Sequence, residues 1–199
     1  MPPRPAADGP SNTPAPPLRI IGGEFRGSIL RYSGDLRTRP MKDRVREAVF
    51  NLLSTYCKGM HAVDLFAGTG ALGLEALSRG ALRATLLERH FPTARIIEEN
   101  VRHLHVEERA RVIPGDSFIW ARKAEPDVIP WLIFCSPPYD FYVDRADDML
   151  KLLTTLMDKA PPESIFVVES DERFDPALLP DANAWDVREY PPARIALRK

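Results

Sequence analysis

The stretch that decides the fold is VDLFAGTGALGLEAL, from Val63 to Leu77. Gly68, Gly70 and Gly73 form a G-x-G-x-x-G pattern between an apolar, strand-like run and a helical run, and this context makes a weak pattern informative. Glycines let the backbone turn tightly and let a ligand approach, while free amides at the start of the helix can face a polar group. The stretch therefore predicts a strand, a ligand-binding turn and a helix.

Downstream of Gly59, short apolar runs alternate with helical patterns, which is typical of βαβ units and a parallel sheet. The predicted strands are HAVDLF (61–66), RATLLE (83–88), ARVIP (110–114), WLIFCS (131–136) and SIFVVES (164–170). The last two runs, AWDVREY (184–190) and RIALRK (194–199), are too close together for a crossover helix. They are predicted to pair as a C-terminal antiparallel hairpin.

The chain divides into three parts. Residues 1–17 are dominated by proline and small polar residues and are predicted to be a disordered tail. Residues 18–58 combine a small hairpin with an amphipathic helix that ends near Cys57 and presents Val45, Val49, Leu52, Leu53 and Tyr56 on one face. Residues 59–199 are predicted to be the ligand-binding α/β domain.

Composition limits the classes of function. The 199 residues carry 27 Lys and Arg against 28 Asp and Glu, so a net charge of -1 gives no global attraction to nucleic acid. The two cysteines, Cys57 and Cys135, lack the spacing of a metal site or the density of a disulfide scaffold, and the four histidines form no ligand set. No apolar run approaches the roughly 18 residues of a membrane span. A cytoplasmic protein without membrane attachment or metal is expected.

Acidic residues near the glycine turn suggest the ligand. Glu88 closes the second strand about 20 residues beyond Gly68, where a carboxylate accepts hydrogen bonds from ribose hydroxyls. Asp64 precedes the turn and suits the ammonium group of S-adenosylmethionine, and Asp116 can accept from the adenine amino group or simply cap a helix. A dinucleotide site fits the turn equally well, but nothing in the chain resembles the acid or base of hydride transfer.

The segment LIFCSPPYDFY, residues 132–142, ends a buried strand with two prolines. Because ligands bind at the carboxyl ends of parallel strands, this corner should face the glycine turn. The Ser136 hydroxyl and the Pro137 carbonyl could accept hydrogens from the amino group of a nucleobase, Tyr139 could stack on the base, and Pro137 and Pro138 would hold the acceptors in place.

The motifs RIIGGEFRG, TRPMKDRVREAVFNLL, DLFAGTGALGLEALSRGA, LLERH, GD and SPPY, in this order, resemble those of the RsmD family of bacterial rRNA guanine-N2 methyltransferases. The resemblance implies a Rossmann-like class I methyltransferase fold with a doubly wound, seven-stranded, mostly parallel sheet. It also implies S-adenosyl-L-methionine as cofactor and a guanine of small-subunit (16S) rRNA as substrate. By position it implies catalytic residues Ser136, Pro137, Pro138 and Tyr139, and cofactor-binding residues Asp64, Phe66, Ala67, Gly68, Thr69, Gly70, Glu88, Arg89, Asp116 and Ser117.

The RNA would meet a basic patch. Eight basic and three acidic side chains lie between residues 19 and 46, and such a patch contacts phosphates without reading sequence. A solvated helix face is the alternative interpretation. The predicted RNA-binding residues are Arg19, Arg26, Arg39, Lys42, Arg44 and Arg46. A monomer that acts on rRNA, naked or within a partly assembled subunit, is expected.

Ser136 is a departure from the resemblance, because the family usually has aspartate in a D-P-P-[YF] motif. Serine is a weaker acceptor and does not take up a proton near neutral pH. S-P-P-Y is similar to the motif of DNA methyltransferases that act on cytosine, so a DNA or RNA enzyme acting on cytosine N4 or adenine N6 stays an alternative. A catalytically weakened RNA-binding or assembly protein is the other.

Overall fold

The computed structural model describes residues 17–34, 41–125 and 128–199. The helices in these ranges are α1 (Asp43–Leu53), α2 (Ala71–Ser78), α3 (Phe91–His103), α4 (Ser117–Lys123), α5 (Phe141–Asp144) and α6 (Ala146–Lys159). The strands are β1 (His61–Asp64), β2 (Arg83–Glu88), β3 (Ala110–Pro114), β4 (Trp131–Cys135), β5 (Ile165–Asp171), β6 (Asp186–Tyr190) and β7 (Ala193–Arg198). Residues 1–16 of the predicted disordered tail lie outside the described residues.

The strands form one sheet of seven, in the order β3-β2-β1-β4-β5-β7-β6. Strands β1 to β5 pair in parallel, whereas β7 pairs antiparallel with both β5 and β6. The chain moves outward from β1 to β3 and then crosses to β4 on the other side of β1, and such a reversal leaves a crevice at the carboxyl ends of the strands. This sheet confirms the predicted doubly wound fold and its C-terminal antiparallel hairpin.

Two apolar clusters cover the two faces of the sheet. In β4, Leu132 and Phe134 belong to the cluster that α1, α2 and α3 complete, and Ile133 belongs to the cluster that α4 and α6 complete. Successive side chains of a strand point to opposite faces, so a strand covered on both sides must be apolar at every position. This is why the run WLIFC is buried throughout.

The predicted N-terminal hairpin is present as a single antiparallel bridge between Arg19 and Ile29. The Leu30 amide donates to the Leu18 carbonyl at 2.8 Å beside this bridge. Leu18, Ile20 and Leu30 are buried in the same cluster as α1 and α2. Residues 17–34 are therefore part of the core on that face of the sheet.

A buried carboxylate, Glu75 of α2, holds this segment. The backbone amides of Ile21 and Gly22 donate to its two oxygens at 2.7 and 2.8 Å, and the Arg79 guanidinium donates at 2.8 Å. The Glu75 side chain has no exposed surface, and a carboxylate is tolerated there because its oxygens are hydrogen-bonded. The segment is fixed to the helix that follows the glycine turn.

Helix α1 is shorter than the sequence predicts. Val45, Val49 and Leu53 are buried as expected. The helix ends before Ser54, whose φ of 49° is left-handed and does not continue a helix. Tyr56 consequently lies beyond the helix and is 49% exposed, so its predicted place on the apolar face is wrong.

No helix in residues 17–34, 41–125 and 128–199 combines the length and apolar character needed to cross a bilayer.

Candidate active site

A cavity of about 420 Å³ opens where the parallel strands end. Its wall is formed by the segments that follow β1 to β4, by the end of β5, and by residues on either side of the start of α1. Its lining residues include Lys42, Phe66, Gly68, Glu88, Arg89, Asp116, Ser117, Phe118, Ser136, Pro137, Pro138, Tyr139, Phe141 and Glu169. The predicted cofactor residues Asp64, Ala67, Thr69 and Gly70 do not line it. The structure nevertheless brings the glycine turn and the S-P-P-Y corner to one cavity.

The glycine turn needs glycine for both conformation and space. Gly68 and Gly70 have φ values of 52° and 77°, in the left-handed region that other residues rarely adopt. A Cβ atom on Gly70 would also lie 2.9 Å from the side chain of Ile97. The turn is therefore packed tightly against α3 behind it.

Glu88 is held at the cavity wall by backbone donors. Its Oε2 accepts from the Gly68 amide at 2.9 Å, and its Oε1 accepts from the His90 amide at 2.7 Å. These bonds link the end of β2 to the glycine turn across the sheet. The carboxylate lies where the sequence places an acceptor for ribose hydroxyls.

Asp64 lies beneath the turn, 1% exposed. Its Oδ2 accepts from the Gly73 amide at 3.2 Å, while Oδ1 is buried without a hydrogen-bond partner among the described residues. Burial, together with the charge of Glu88, raises the pKa of this carboxyl to about 7, against the opposing effect of hydrogen bonds from the backbone of Gly73 and Phe66. The next two residues of the chain, Leu65 and Phe66, line the cavity, and an unpartnered buried oxygen behind them fits a site that receives a cationic group.

Asp116 is the N-cap of α4, the alternative that the sequence left open. Its Oδ1 accepts from the amides of Phe118 and Ile119 at 2.8 and 3.1 Å. Ser117 donates its hydroxyl to the Leu65 carbonyl and is buried. Because Asp116 also lines the cavity, capping and ligand contact are compatible, and its predicted contact with adenine stays a prediction.

An aromatic cluster forms one wall; the sequence analysis predicted its member Phe66 as a cofactor residue but missed Phe141. Phe66 meets the rings of Phe118 and Phe141 edge-on, with centroids 6.1 and 5.9 Å away. The Arg145 guanidinium lies 4.3 Å from the Phe118 centroid, and Arg89 lies 5.4 Å from that of Phe141. The sequence feature that could have identified Phe141 is its position, two residues after the S-P-P-Y motif. The cluster offers apolar and cationic surfaces to a flat ligand.

At the S-P-P-Y corner, the strand ends at Cys135, one residue before the predicted end at Ser136. The Ser136 hydroxyl donates to Glu169 Oε2, and the Tyr139 hydroxyl donates to Glu169 Oε1 at 2.7 Å. The Pro138 carbonyl accepts from the Phe141 amide at 2.9 Å, which begins the helical turn of α5. The corner is thus tied to the neighbouring strand β5.

Glu169 is the residue that sequence reasoning missed. It is 7% exposed, and burial raises its pKa while the hydrogen bonds from Ser136 and Tyr139 lower it. The sequence feature that could have identified Glu169 is that it is a charged residue within the apolar run SIFVVES. A buried carboxylate in a cleft is a candidate functional group.

The predicted basic patch is only partly available. Arg19, Arg26, Lys42 and Arg44 are exposed, and Arg39 lies outside the described residues. Arg46 has no exposed surface: its guanidinium donates to the Arg19 carbonyl at 2.5 Å and to Asp43 at 3.0 Å. The prediction that Arg46 binds RNA is wrong, because its side chain belongs to the core between α1 and the N-terminal segment.

Comparison with known proteins gives a family match over most of the chain. Residues 18–191 match the model of a family described as conserved hypothetical protein 95. A relative in Escherichia coli K12, named ribosomal RNA small subunit methyltransferase D, is 38% identical over 131 residues. That region covers 65% of this chain and 64% of the relative, slightly less than two thirds of its length.

Solved structures share the fold. A candidate methyltransferase of Escherichia coli, yhhF, has 32% identity and a TM-score of 0.74, with 92% of this chain and 99% of that chain covered. An RNA methyltransferase of Salinibacter ruber, solved with S-adenosyl-L-homocysteine, has 16% identity and a TM-score of 0.60. The match covers 80% of this chain and 92% of that one, and at this identity it shows the fold alone.

Proposed function

Because the chain belongs to the RsmD family, whose model matches residues 18–191, we propose that it methylates the exocyclic N2 amine of a guanine in 16S rRNA. The methyl donor is S-adenosyl-L-methionine. The observation that carries the proposal is a single cavity that joins the glycine turn and Glu88 to the corner formed by Ser136, Pro137 and Tyr139. Family relatives named as rRNA small subunit methyltransferases support rRNA as the substrate.

The residues present suit the cofactor. Glu88 would accept from the ribose hydroxyls, Phe118 and Phe141 would flank the adenine, and the unpartnered Asp64 Oδ1 would face the ammonium group. S-adenosylmethionine, when bound, supplies an electrophilic methyl group. The protein contributes a closed turn, an acceptor for the ribose and a negative charge beneath the amino acid end.

Ionisation of Asp64 should control cofactor affinity. With its pKa raised to about 7, we expect affinity to rise between about pH 6 and 8 as the carboxylate forms. In Asp64→Asn, calorimetry should find weaker binding that no longer changes across this range. A cofactor affinity of the wild-type protein that does not change with pH would contradict the role of Asp64 in binding the cofactor.

In the protein without cofactor, the pH dependence of stability gives a second test of the raised pKa of Asp64. A carboxyl whose pKa is higher in the folded than in the unfolded state destabilises the fold as pH rises between the two values. From about pH 4 to 7, Asp64 should therefore lower the free energy of unfolding by up to about 1.4 kcal/mol per pH unit. Asp64→Asn should lack this contribution in urea titrations.

The S-P-P-Y corner suits an amine. The lone pair of an exocyclic amino group is delocalised into the base, so acceptors that hold its hydrogens make the nitrogen a better nucleophile. The Ser136 hydroxyl oxygen and the Pro137 carbonyl would be those acceptors, and the Tyr139 ring would stack on the base. A paired guanine cannot reach the cavity, so it must be flipped out or already unpaired.

The exposed basic residues would position the RNA. Lys42 belongs to this patch and also lines the cavity, so the patch continues to the site of transfer. We expect Arg44→Ala to weaken RNA binding at every sequence and to reduce the slope of log affinity against log salt by about 1. Arg122→Ala is the control, because Arg122 is exposed at the end of α4 on the other face of the sheet. Equal salt slopes for the two variants would show that α1 presents an ordinary solvated face.

Nucleoside mass spectrometry tests the proposal. Small-subunit rRNA from cells lacking this gene should lose one N2-methylguanosine, and the purified protein should restore it on undermethylated rRNA or subunits. Comparing naked rRNA with subunits identifies the form of the substrate that the enzyme accepts. We expect the enzyme to be a monomer that acts in the cytoplasm. Methyl label that appears in DNA, on cytosine N4 or on adenine N6 would overturn the proposal.

A further inference from the structure

A buried carboxylate lies directly behind the reactive corner. Glu169 is within β5, whose residues are all buried, and its two oxygens accept from the hydroxyls of Ser136 and Tyr139. All three side chains line the cavity. Carboxylates are rarely buried without a role or a partner, and the donors here are two neutral hydroxyls of the motif proposed to hold the substrate.

We propose that Glu169 is the positioning residue of the reaction: it turns Ser136 into an acceptor for the amine and takes up the released proton through it. This inference rests on the proposed methylation of an amine. A serine hydroxyl has one hydrogen and two lone pairs. Because Ser136 donates its hydrogen to Glu169, only lone pairs remain to face the cavity, and they accept from an N–H group.

The proton count calls for such a group. As the N–CH₃ bond forms at the amine and the S–CH₃ bond breaks, the sulfur becomes a neutral thioether and the nitrogen carries one proton too many. Ser136 does not hold an extra proton near neutral pH, but it accepts this one while its own moves to Glu169 Oε2. Glu169 ends as a neutral carboxylic acid and returns the proton to water after the product leaves.

The residues around Glu169 determine the pH range over which its carboxyl group loses its proton. Tyr139 faces it from the turn after β4, Tyr142 lies near it in α5, Ile195 is its partner on β7, and Lys42 lines the same cavity. Burial raises the pKa of Glu169 above the ordinary 4.5, against the two hydroxyl bonds. Since only the carboxylate accepts a proton, the rate of methyl transfer should rise with pH through this raised pKa and then level off.

The main test is Glu169→Gln, which keeps the size of the side chain but does not take up the proton. Single-turnover transfer from bound cofactor to the RNA should slow by about 100-fold, the rise with pH should disappear, and calorimetric cofactor affinity should not change. Glu169→Asp should recover part of the rate and of the pH dependence. Glu172→Gln is the matched control, because Glu172 is exposed in the next turn of the chain, and all three quantities should stay at the wild-type values.

Infrared spectroscopy tests the protonation of Glu169 independently, because it does not require turnover. In the free protein, the infrared band of a protonated carboxyl group should appear on acidification through the raised pKa. Against the background of the other carboxyl groups, including Asp64, the component that belongs to Glu169 should be missing in Glu169→Gln and present in Glu172→Gln. The absence of a Glu169-dependent band over the range in which the rate changes would overturn the inference.

The kinetic outcomes separate this inference from the proposed function. If wild-type protein methylates guanine N2 and Glu169→Gln does so equally fast, the inference fails and the function stands. If the variant is slower at every pH but keeps the wild-type pH profile, Glu169 supports the fold only, and the inference also fails. A wild-type protein that methylates no guanine would refute the proposed function, while the infrared band still reports on Glu169.

Discussion

Replacing Tyr139 with alanine should slow methyl transfer strongly while cofactor affinity stays at the wild-type value. Stacking of a base on an aromatic ring contributes about 1–3 kcal/mol, which corresponds to about 5- to 150-fold in rate if it is lost from the transition state. The same substitution removes the hydrogen bond from the Tyr139 hydroxyl to Glu169. Because both losses fall on the base-binding side of the cavity, we expect a decrease near the upper end of that range.

Tyr139→Phe separates the two contributions, since it keeps the ring and removes only the hydroxyl. The phenylalanine variant should retain most of the activity that the alanine variant loses, and calorimetry should give equal cofactor affinities for both. Single-turnover rates on undermethylated small-subunit rRNA provide the measurement. If Tyr139→Ala turns over at the wild-type rate, Tyr139 does not stack on the substrate base.

The largest effect on stability is expected from Gly23→Ala. Gly23 has a φ of 79°, and a Cβ atom built on it would lie 1.9 Å from the Ser78 backbone carbonyl oxygen at the end of α2. The left-handed conformation alone costs a residue with a side chain about 1–2 kcal/mol. The overlap is with backbone that does not move independently of its helix, so we expect a total loss of about 3 kcal/mol or more in the free energy of unfolding.

Gly27→Ala is the matched control. Gly27 has a similar φ of 89°, but no heavy atom lies within 4 Å of a Cβ atom placed there. Its replacement should therefore cost only the backbone strain, about 1–2 kcal/mol. Urea titrations of both variants measure the difference, and equal losses would mean that residues 17–34 do not dock on α2 as described.

The sheet was predictable because each strand that is covered on both faces must be a short apolar run. WLIFC, RATLLE and SIFVVES carry that signal in their own residues, and the glycine turn adds the position of the ligand. The terminal hairpin followed from the short connection between its two runs. These features depend on neighbours in the sequence, so the residues themselves predicted the strands, the turn and the hairpin, whereas the doubly wound, seven-stranded order was implied by the resemblance to the RsmD family.

The rest depends on contacts between distant residues. Ser136 and Glu169 are 33 positions apart and meet only because β4 and β5 are neighbours in the sheet, which the pattern of runs did not specify. Arg46 was different, because it lies on the same helical stripe as Val49 and Leu53. Its spacing indicated burial, and its charge was given too much weight.

The hydrogen bonds to Glu75 also restrict how the N-terminal segment of this chain can be replaced. A chain that began after residue 58 would lose the amides of Ile21 and Gly22, two of the donors that neutralise this buried carboxylate. Removing the partners of a buried charge costs about 3–5 kcal/mol, a large share of the stability of a typical domain. The N-terminal segment is thus part of the fold of the sheet domain, and this chain should tolerate substitutions on the surface of the segment better than an exchange of the whole segment.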